Sequence, residues 1–322
     1  RLIEKVYEKI IAKGSELTGI KKKLFFWAVE VGLKYEPDHS NGWCYDFQLK
    51  IARKLIFSKW KAGLGGKLDL IVNGSAALQP RLARIFAAAE IPVMEGYGLS
   101  ETSPVISVND QRNGGFRIGT AGRIIDNVEV KIASDGEILC KGPNVMMGYY
   151  KDEKLTSEAI VDGYFHTGDI GEVDSDGFLK ITDRKKEMFK TSGGKYIAPQ
   201  LLENTMKQSR FIEQIMVIGA DQKMPAAFIQ PSFDFIKEWA KIHNVNIGTT
   251  NEEIICNQQV IDRIQQEVDT LNEKFGNWEK IKKFELTPDL WTIPAGHLTP
   301  TMKLKRKVVM EKYINLFHKI YG

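Results

Sequence analysis

Leu68-Asp69-Leu70-Ile71-Val72-Asn73-Gly74-Ser75, followed by Pro80 and then by Ile91-Pro92-Val93-Met94-Glu95-Gly96-Tyr97-Gly98, is the stretch whose reading decides the fold. The first apolar run, 68–72, has the length of a strand and stops at Asn-Gly-Ser, residues that punctuate regular structure. Pro80 suits the first turn of a helix, where its missing N–H would have no partner anyway. Leu82, Ile85, Phe86 and Ala89 then recur at the three- and four-residue spacing of one helical face. Strand character resumes at 91–94, and strand, helix, strand in that order predicts a parallel pair covered by its helix.

Working outward, Leu2, Ile3, Val6, Tyr7, Ile10 and Ile11 form an amphipathic stripe, and residues 1–62 read as mostly helical until Gly63, Gly65 and Gly66 break the pattern. Downstream, residues 105–181 change texture to short β-branched runs separated by Asp135-Gly136, Asp162-Gly163 and Asp176-Gly177. One hairpin is predicted from 129–132 with 137–140 and another from 171–173 with 178–181, giving a small barrel or packed sheet. The charge run Asp183-Arg184-Lys185-Lys186-Glu187, with Gly193-Gly194 soon after, places a domain boundary.

Beyond that boundary a helix is expected at 199–208, strands at 215–218 and 227–230, and a helix at 233–242. Ile254, Ile261, Ile264, Val268, Leu271 and Phe275 predict one long helix, and Val309, Tyr313, Leu316, Phe317 and Ile320 a last one. The expected class is α/β in three parts. Residues 1–104 form a parallel sheet covered by helices, 105–182 a small antiparallel β module, and 183–322 an α+β carboxyl-terminal domain.

Composition narrows the classes. With 322 residues, 43% apolar and 27% charged, the chain is not disordered, collagenous or coiled-coil. No apolar run approaches the roughly 20 residues that span a bilayer. Forty-five Lys and Arg against 41 Asp and Glu give a net charge of +4, too balanced to call for a nucleic-acid partner. Cys44, Cys140 and Cys256 lie far apart without a CxxC spacing, which argues against zinc and disulfides and for a reducing cytoplasm. The chain opens on Arg1 and has no signal-peptide core, and the expectation is a piece of a longer protein.

Four stretches offer chemistry, each beside a plainer reading. Glu95-Gly96-Tyr97-Gly98-Leu99-Ser100-Glu101-Thr102 combines glycines that admit a ligand with hydroxyl and carboxylate groups, although a tight turn with a capping Ser or Thr has the same spacing. Gly74-Ser75-Ala76 sits where ligands bind at the carboxyl end of parallel strands, but Ser75 would also cap a helix. In Tyr164-Phe165-His166-Thr167-Gly168-Asp169 the carboxylate suits ribose hydroxyls, against a hairpin turn in which Asp caps its own backbone. His166 needs no chemical role. In Thr299-Pro300-Thr301-Met302-Lys303-Leu304-Lys305-Arg306-Lys307 a lysine can neutralise phosphate charge, and the alternative is a solvated basic face. Neither GxxxxGK[ST] nor GxGxxG occurs, so any triphosphate loop is expected upstream of Arg1.

Taken in order, these motifs, with Asp183-Arg184 and Gly193-Gly194, resemble the acyl-adenylate-forming enzymes, and within them the long-chain fatty-acid CoA ligases. The resemblance runs over nearly the whole chain. It implies that Tyr97 stacks on adenine, that Gly98 belongs to the nucleotide-binding set, that Ser100 contacts the α-phosphate, and that Glu101 is the Mg²⁺ carboxylate. It also implies that Asp169 and Arg184 bind ribose, that Gly74, Ser75 and Ala76 line the pocket, and that Lys303 bridges acyl carboxylate and α-phosphate. The family's usual Thr is Ser100 here, and the Gly common before the lysine is Met302. By the same resemblance 183–322 is a mobile lid with its hinge at 183–186, around Lys186, which swings Lys190, Gly193 and Gly194 to the CoA thiol. The implied substrates are ATP, CoA and a fatty acid, with peripheral membrane contact expected from a lipid substrate. The isolated piece is expected to be inactive. An adenylating enzyme for another acid or a carrier-protein acceptor, and a non-catalytic fragment, are the alternatives.

Overall fold

A computed structural model describes residues 2–38, 40–74, 77–300 and 303–322. The chain divides into two compact units, 1–181 and 182–322. Among the described residues no helix is long and apolar enough to cross a membrane.

The first unit opens with helices α1 (Leu2–Ser15), α2 (Gly19–Leu33) and α3 (Trp43–Ala52), a π turn at Arg53–Phe57, and α4 (Ser58–Gly63). Of the stripe expected on α1, Ile3, Tyr7 and Ile11 are buried and Val6 and Ile10 half-buried, while Leu2 is exposed. Strand β1 (Ile71–Asn73), helix α5 (Pro80–Ala88) and strand β2 (Val93–Tyr97) follow as expected, with β1 and β2 parallel and Ile71 opposite Val93. Pro80 stands in the first turn of α5. Leu82, Ile85 and Phe86 on α5 join Phe25, Phe57 and Trp60 in one core, so the helical layer and the strands share a single apolar interior.

Strands β3 (Ser107–Val108) and β4 (Arg123–Ile124) continue this sheet in the order β1-β2-β3-β4, with β3 antiparallel to β2. The first sheet therefore takes in residues beyond 104, and the separate antiparallel sheet starts at β5 (Glu129–Ile132). It continues through β6 (Glu137–Lys141), helix α6 (Glu153–Ala159), β7 (Ile160–Val161), β8 (Tyr164–Val173) and β9 (Leu179–Arg184). The order is β5-β6-β8-β7, with β9 on β8. Both expected hairpins form, and Asp162-Gly163 makes a third with both residues at positive φ, the two-residue turn that matches strand twist.

In the second unit β10 (Phe189–Lys190) and β11 (Tyr196–Ile197) form a small hairpin, followed by α7 (Pro199–Met206), β12 (Ile212–Ile218), β13 (Ala226–Pro231) and α8 (Phe233–His243). Next come α9 (Asn251–Cys256), α10 (Gln258–Asn272), β14 (Lys283–Leu286), α11 (Arg306–Lys312) and α12 (Ile314–Tyr321). Ile215 and Val217 pack with α7, α8 and α10, while Met216 and Ile218 pack with Val309, Tyr313 and Ile320. The apolar run 215–218 is continuous because both faces of this sheet are covered.

Two expectations are corrected here. The long helix predicted over 254–275 is two helices, because Asn257 adopts extended backbone and its side chain accepts the N–H groups of Gln259 and Val260. The last helix is likewise broken at Tyr313, between α11 and α12. Strand β14, parallel to β13, was not anticipated; only two of its four residues are apolar, too short a signal for periodicity.

Candidate active site

At the carboxyl ends of β1 and β2 the chain turns at Gly74 and at Gly98, the position that opens an α/β sheet to ligands. Gly98 admits no side chain: a Cβ there would stand 1.7 Å from the Pro104 carbonyl oxygen. Its neighbours fold into a tight turn in which the Leu99 N–H donates to Thr102 Oγ1 at 2.9 Å, which leaves Ser100 exposed and Thr102 buried. Ser75 and Ala76 lie outside the described residues.

Two candidates 72 residues apart meet. The Tyr97 hydroxyl donates to Asp169 Oδ2 at 2.7 Å. Asp169 is not in a hairpin turn: it follows Gly168, at φ 70°, in a bulge within β8. Register with β6 runs from Leu139 opposite His166 to Glu137 opposite Ile170, so β8 carries extra residues there. A bulge of this kind re-aims one side chain out of the strand alternation. Thr167 Oγ1 accepts the Asp169 N–H at 3.1 Å and donates to the Ile138 carbonyl at 2.7 Å. Buried Glu137 takes the Gly168 N–H at 2.9 Å and contacts His166 Nδ1 at 3.1 Å, which gives His166 a structural role.

Glu101 is held separately. Its Oε1 accepts the Tyr149 hydroxyl at 3.1 Å and its backbone carbonyl accepts the Met146 N–H at 2.8 Å. Sequence reasoning passed over Glu95, whose side chain points back to the turn after β1 and accepts the Leu78 N–H at 3.2 Å. Loss of solvent, only partly offset by that hydrogen bond, pushes its carboxyl up to about 8, so the folded chain favours its neutral form. No spacing rule flags it; the signal is an acid at the end of an apolar strand.

In the second unit Lys190 lies on β10 with its ammonium 4.6 Å from the Tyr196 ring centroid. Gly193 and Gly194 form the tip of the β10–β11 hairpin, where the Gly194 N–H reaches the Thr191 carbonyl at 2.8 Å with φ at 75°, a conformation that favours glycine. Arg184 and Lys186 are exposed. Lys303 is exposed and closes a loop on Thr299, whose N–H donates to the Lys303 carbonyl at 2.8 Å while the Lys303 N–H donates to Thr299 Oγ1 at 3.0 Å. The basic run is not a uniform solvated face: Lys305 and Lys307 are exposed, whereas Arg306 is turned inward with one quarter of its side chain accessible. The proposed ribose pair, Asp169 and Arg184, falls on either side of the division at 181/182, as do Glu101 and Lys303.

Residues 33–150 match the family model described as AMP-binding enzyme, and residues 187–322 match that of the AMP-binding enzyme C-terminal domain. The chain is 38% identical over 269 residues to long-chain-fatty-acid CoA ligase FadD15 of Mycobacterium bovis, covering 84% of this chain and 44% of that protein. It is 34% identical over 346 residues to long chain acyl-CoA synthetase 3 of Arabidopsis thaliana, covering 100% of this chain and 50% of that protein. The chain thus spans about half the length of the curated relatives it matches. Among solved structures, the adenylation and carrier didomain of a carboxylic acid reductase from Segniliparus rugosus, in complex with AMP, superposes with a TM-score of 0.64 at 19% identity, over 92% of this chain and 40% of that one. O-succinylbenzoate coenzyme A synthetase of Bacillus subtilis, with ATP and magnesium ion, gives 0.56 at 22% identity, over 77% and 49%. These two likenesses establish the α/β fold.

Proposed function

The chain belongs to the AMP-binding enzymes, and from that premise we propose that it is the adenylate-handling part of a long-chain fatty-acid CoA ligase. In the first half-reaction a fatty-acid carboxylate oxygen bonds to the α-phosphorus of ATP as the bond to the departing pyrophosphate breaks, leaving acyl-AMP. In the second the CoA thiol, giving up its proton, attacks the acyl carbonyl and AMP leaves.

The observation that carries this reading is the Tyr97–Asp169 contact, which joins two of the motifs at the open ends of the parallel strands. Tyr97 offers a ring face for adenine, and its hydroxyl orients the Asp169 carboxylate toward the ribose hydroxyls. Gly74 leaves room at the end of β1, Gly98 lets the turn after β2 pack tightly on Pro104, and the Ser100 hydroxyl is presented to the α-phosphate. Lys303 brings the charge that lets two anions meet.

Mg²⁺ fits this donor set. Among the described residues no three His, Cys, Asp or Glu side chains gather to enclose a metal. Mg²⁺ is commonly held by one or two carboxylates, water and substrate phosphates, and Glu101 is the carboxylate available for that. When bound it would supply charge neutralisation on the phosphates.

The reading extends to the second unit as a lid. Rotation about 183–186 withdraws Lys303 and presents Lys190, Gly193 and Gly194 to the thiol, so that one lid serves both half-reactions. The division of the chain at 181/182 supports that hinge. A cytoplasmic enzyme with peripheral membrane contact belongs to the same reading.

Acid-dependent exchange of labelled pyrophosphate into ATP tests it, using the longer parent chain, acids from acetate to palmitate, and this 322-residue chain as control. Exchange stimulated by long-chain acids in the parent and absent in the control is expected. Absence of exchange with every acid tried would overturn the ligase reading, and stimulation only by short or aromatic acids would overturn the long-chain assignment.

A further inference from the structure

Three residues beyond Lys303 the chain plunges into the second unit. Arg306, the first residue of α11, donates from Nη2 to both carboxylate oxygens of Glu203 at 2.8 Å each, from Nη1 to the Val217 carbonyl at 3.2 Å, and from Nε to Glu187 Oε2 at 3.1 Å. Glu203, on α7, is only 6% exposed and also accepts the Val217 N–H at 2.7 Å. The residue before α11, Lys305, supplies no side-chain cap, and the start of that helix is held by the Arg306 fork together with the Lys305 N–H, which donates to the His297 carbonyl at 2.8 Å.

The bonds continue toward the hinge. Glu187 Oε2 also accepts from Gln200 Nε2 at 2.8 Å. The Gln200 N–H, in the first turn of α7, donates to Asp183 Oδ2 at 2.9 Å, and Asp183 Oδ1 accepts the Arg184 N–H at 2.6 Å. Helix α7 has no cap from its own preceding residue, Ala198, so buried Asp183 caps it from the hinge segment. Burial and the Coulombic pull of Arg306 act oppositely on Glu203, while Gln200 and Arg306 overcome burial to hold the Glu187 carboxyl below its ordinary value.

We propose that Arg306, gripped by Glu203 and Glu187, is a positioning residue that fixes the Lys303 loop on the lid and ties it through α7 to the hinge at Asp183. A plain stabilising ion pair has no need to join these places. This network starts at the residue after the unit boundary's first position, passes along one helix face, and ends three residues from the lysine. The side chain is also specific for the task, since a lysine at 306 keeps the charge but loses the planar fork that reaches Glu203, Glu187 and Val217 together. The inference rests on the reading of Lys303 as the adenylation lysine.

The test uses the full parent chain with Arg306→Lys and Glu203→Gln, beside Lys303→Ala. Pyrophosphate exchange reads the first half-reaction, and thioester formation from supplied acyl-AMP and CoA reads the second. Arg306→Lys is expected to lower the exchange kcat roughly 10- to 100-fold with little change in KM for ATP or acid, the scale of a small misplacement of a reacting group. Thioester formation should stay within about threefold of the parent, which separates positioning from general loss of folded protein. Glu203→Gln should give a smaller loss of the same kind. Equal losses in both half-reactions, or none in either, would overturn the positioning role. If Lys303→Ala itself kept full exchange, the Lys303 reading would fall first; if Lys303→Ala lost exchange and Arg306→Lys did not, only the present inference would fall.

Discussion

Around Tyr97 the candidate side chains hold one another, while around Lys303 they are presented to solvent and held from beneath. Tyr97 bonds Asp169, Tyr149 bonds Glu101, and Asp169 is buried on a bulge that Thr167 and Glu137 brace. Gly193, Gly194 and Lys303 are exposed on a hairpin tip or loop and Lys190 on strand β10, and the order of their unit comes from buried groups such as Glu203 and Asp183. The first arrangement suits a pocket assembled once. The second suits groups that must leave as well as arrive, because an exposed loop on a rigid body can be delivered by moving the body.

Four experiments would break or sharpen that contrast. Lys303→Ala in the parent chain is expected to slow adenylate formation at least about 100-fold while supplied acyl-AMP is still consumed with CoA. Equal loss of both half-reactions would refute the adenylation role of Lys303. Lys186→Pro stiffens the hinge segment and should spare pyrophosphate exchange while slowing thioester formation about 10-fold or more. An unchanged rate from acyl-AMP would move the hinge elsewhere.

A gentler change probes the assembled side. Tyr97→Phe removes one hydrogen bond to a carboxylate and keeps the ring, so KM for ATP should rise about fivefold, the equivalent of about 1 kcal/mol. No change in KM would mean that Asp169 is oriented without Tyr97. The last experiment reads stability, with no effect on catalysis asked of it. The Glu95 carboxyl is raised to about 8 by burial, so folding favours its protonated form, and its contribution is full below about pH 4.5 and is lost as pH rises through 8. Denaturant unfolding of this chain across that range should therefore show stability falling with pH, and Glu95→Gln should flatten the fall. An identical slope in the variant would show that Glu95 is not the group responsible.

Much of this was legible in the residues. The β1–α5–β2 unit followed from two apolar runs, an Asn-Gly-Ser stop and Pro80, and the hairpins followed from Asp-Gly pairs. The split of the helix at Asn257 was not legible, because the apolar stripe runs through the break and only the side-chain cap betrays it. Strand β14 was missed for a similar reason: it owes its place to β13 beside it rather than to its own pattern. In the basic run 303–307, charge alone did not separate exposed Lys303, Lys305 and Lys307 from inward Arg306, since the partner that draws Arg306 in, Glu203, is 103 residues away.

By itself the sequence determined the local pieces and their order: which runs are strands or helices, where glycine and proline interrupt them, and which motifs carry hydroxyl, carboxylate and ammonium groups. Those properties depend on neighbours within a few residues, which a periodic pattern records. Only the tertiary structure decided that Tyr97 meets Asp169, that the half-buried Glu95 carboxyl is raised, and that Arg306 faces Glu203 and Glu187. Each of these is set by burial or by a hydrogen bond across distant sequence, and the free energy of a polar group depends on what surrounds it after the chain has folded.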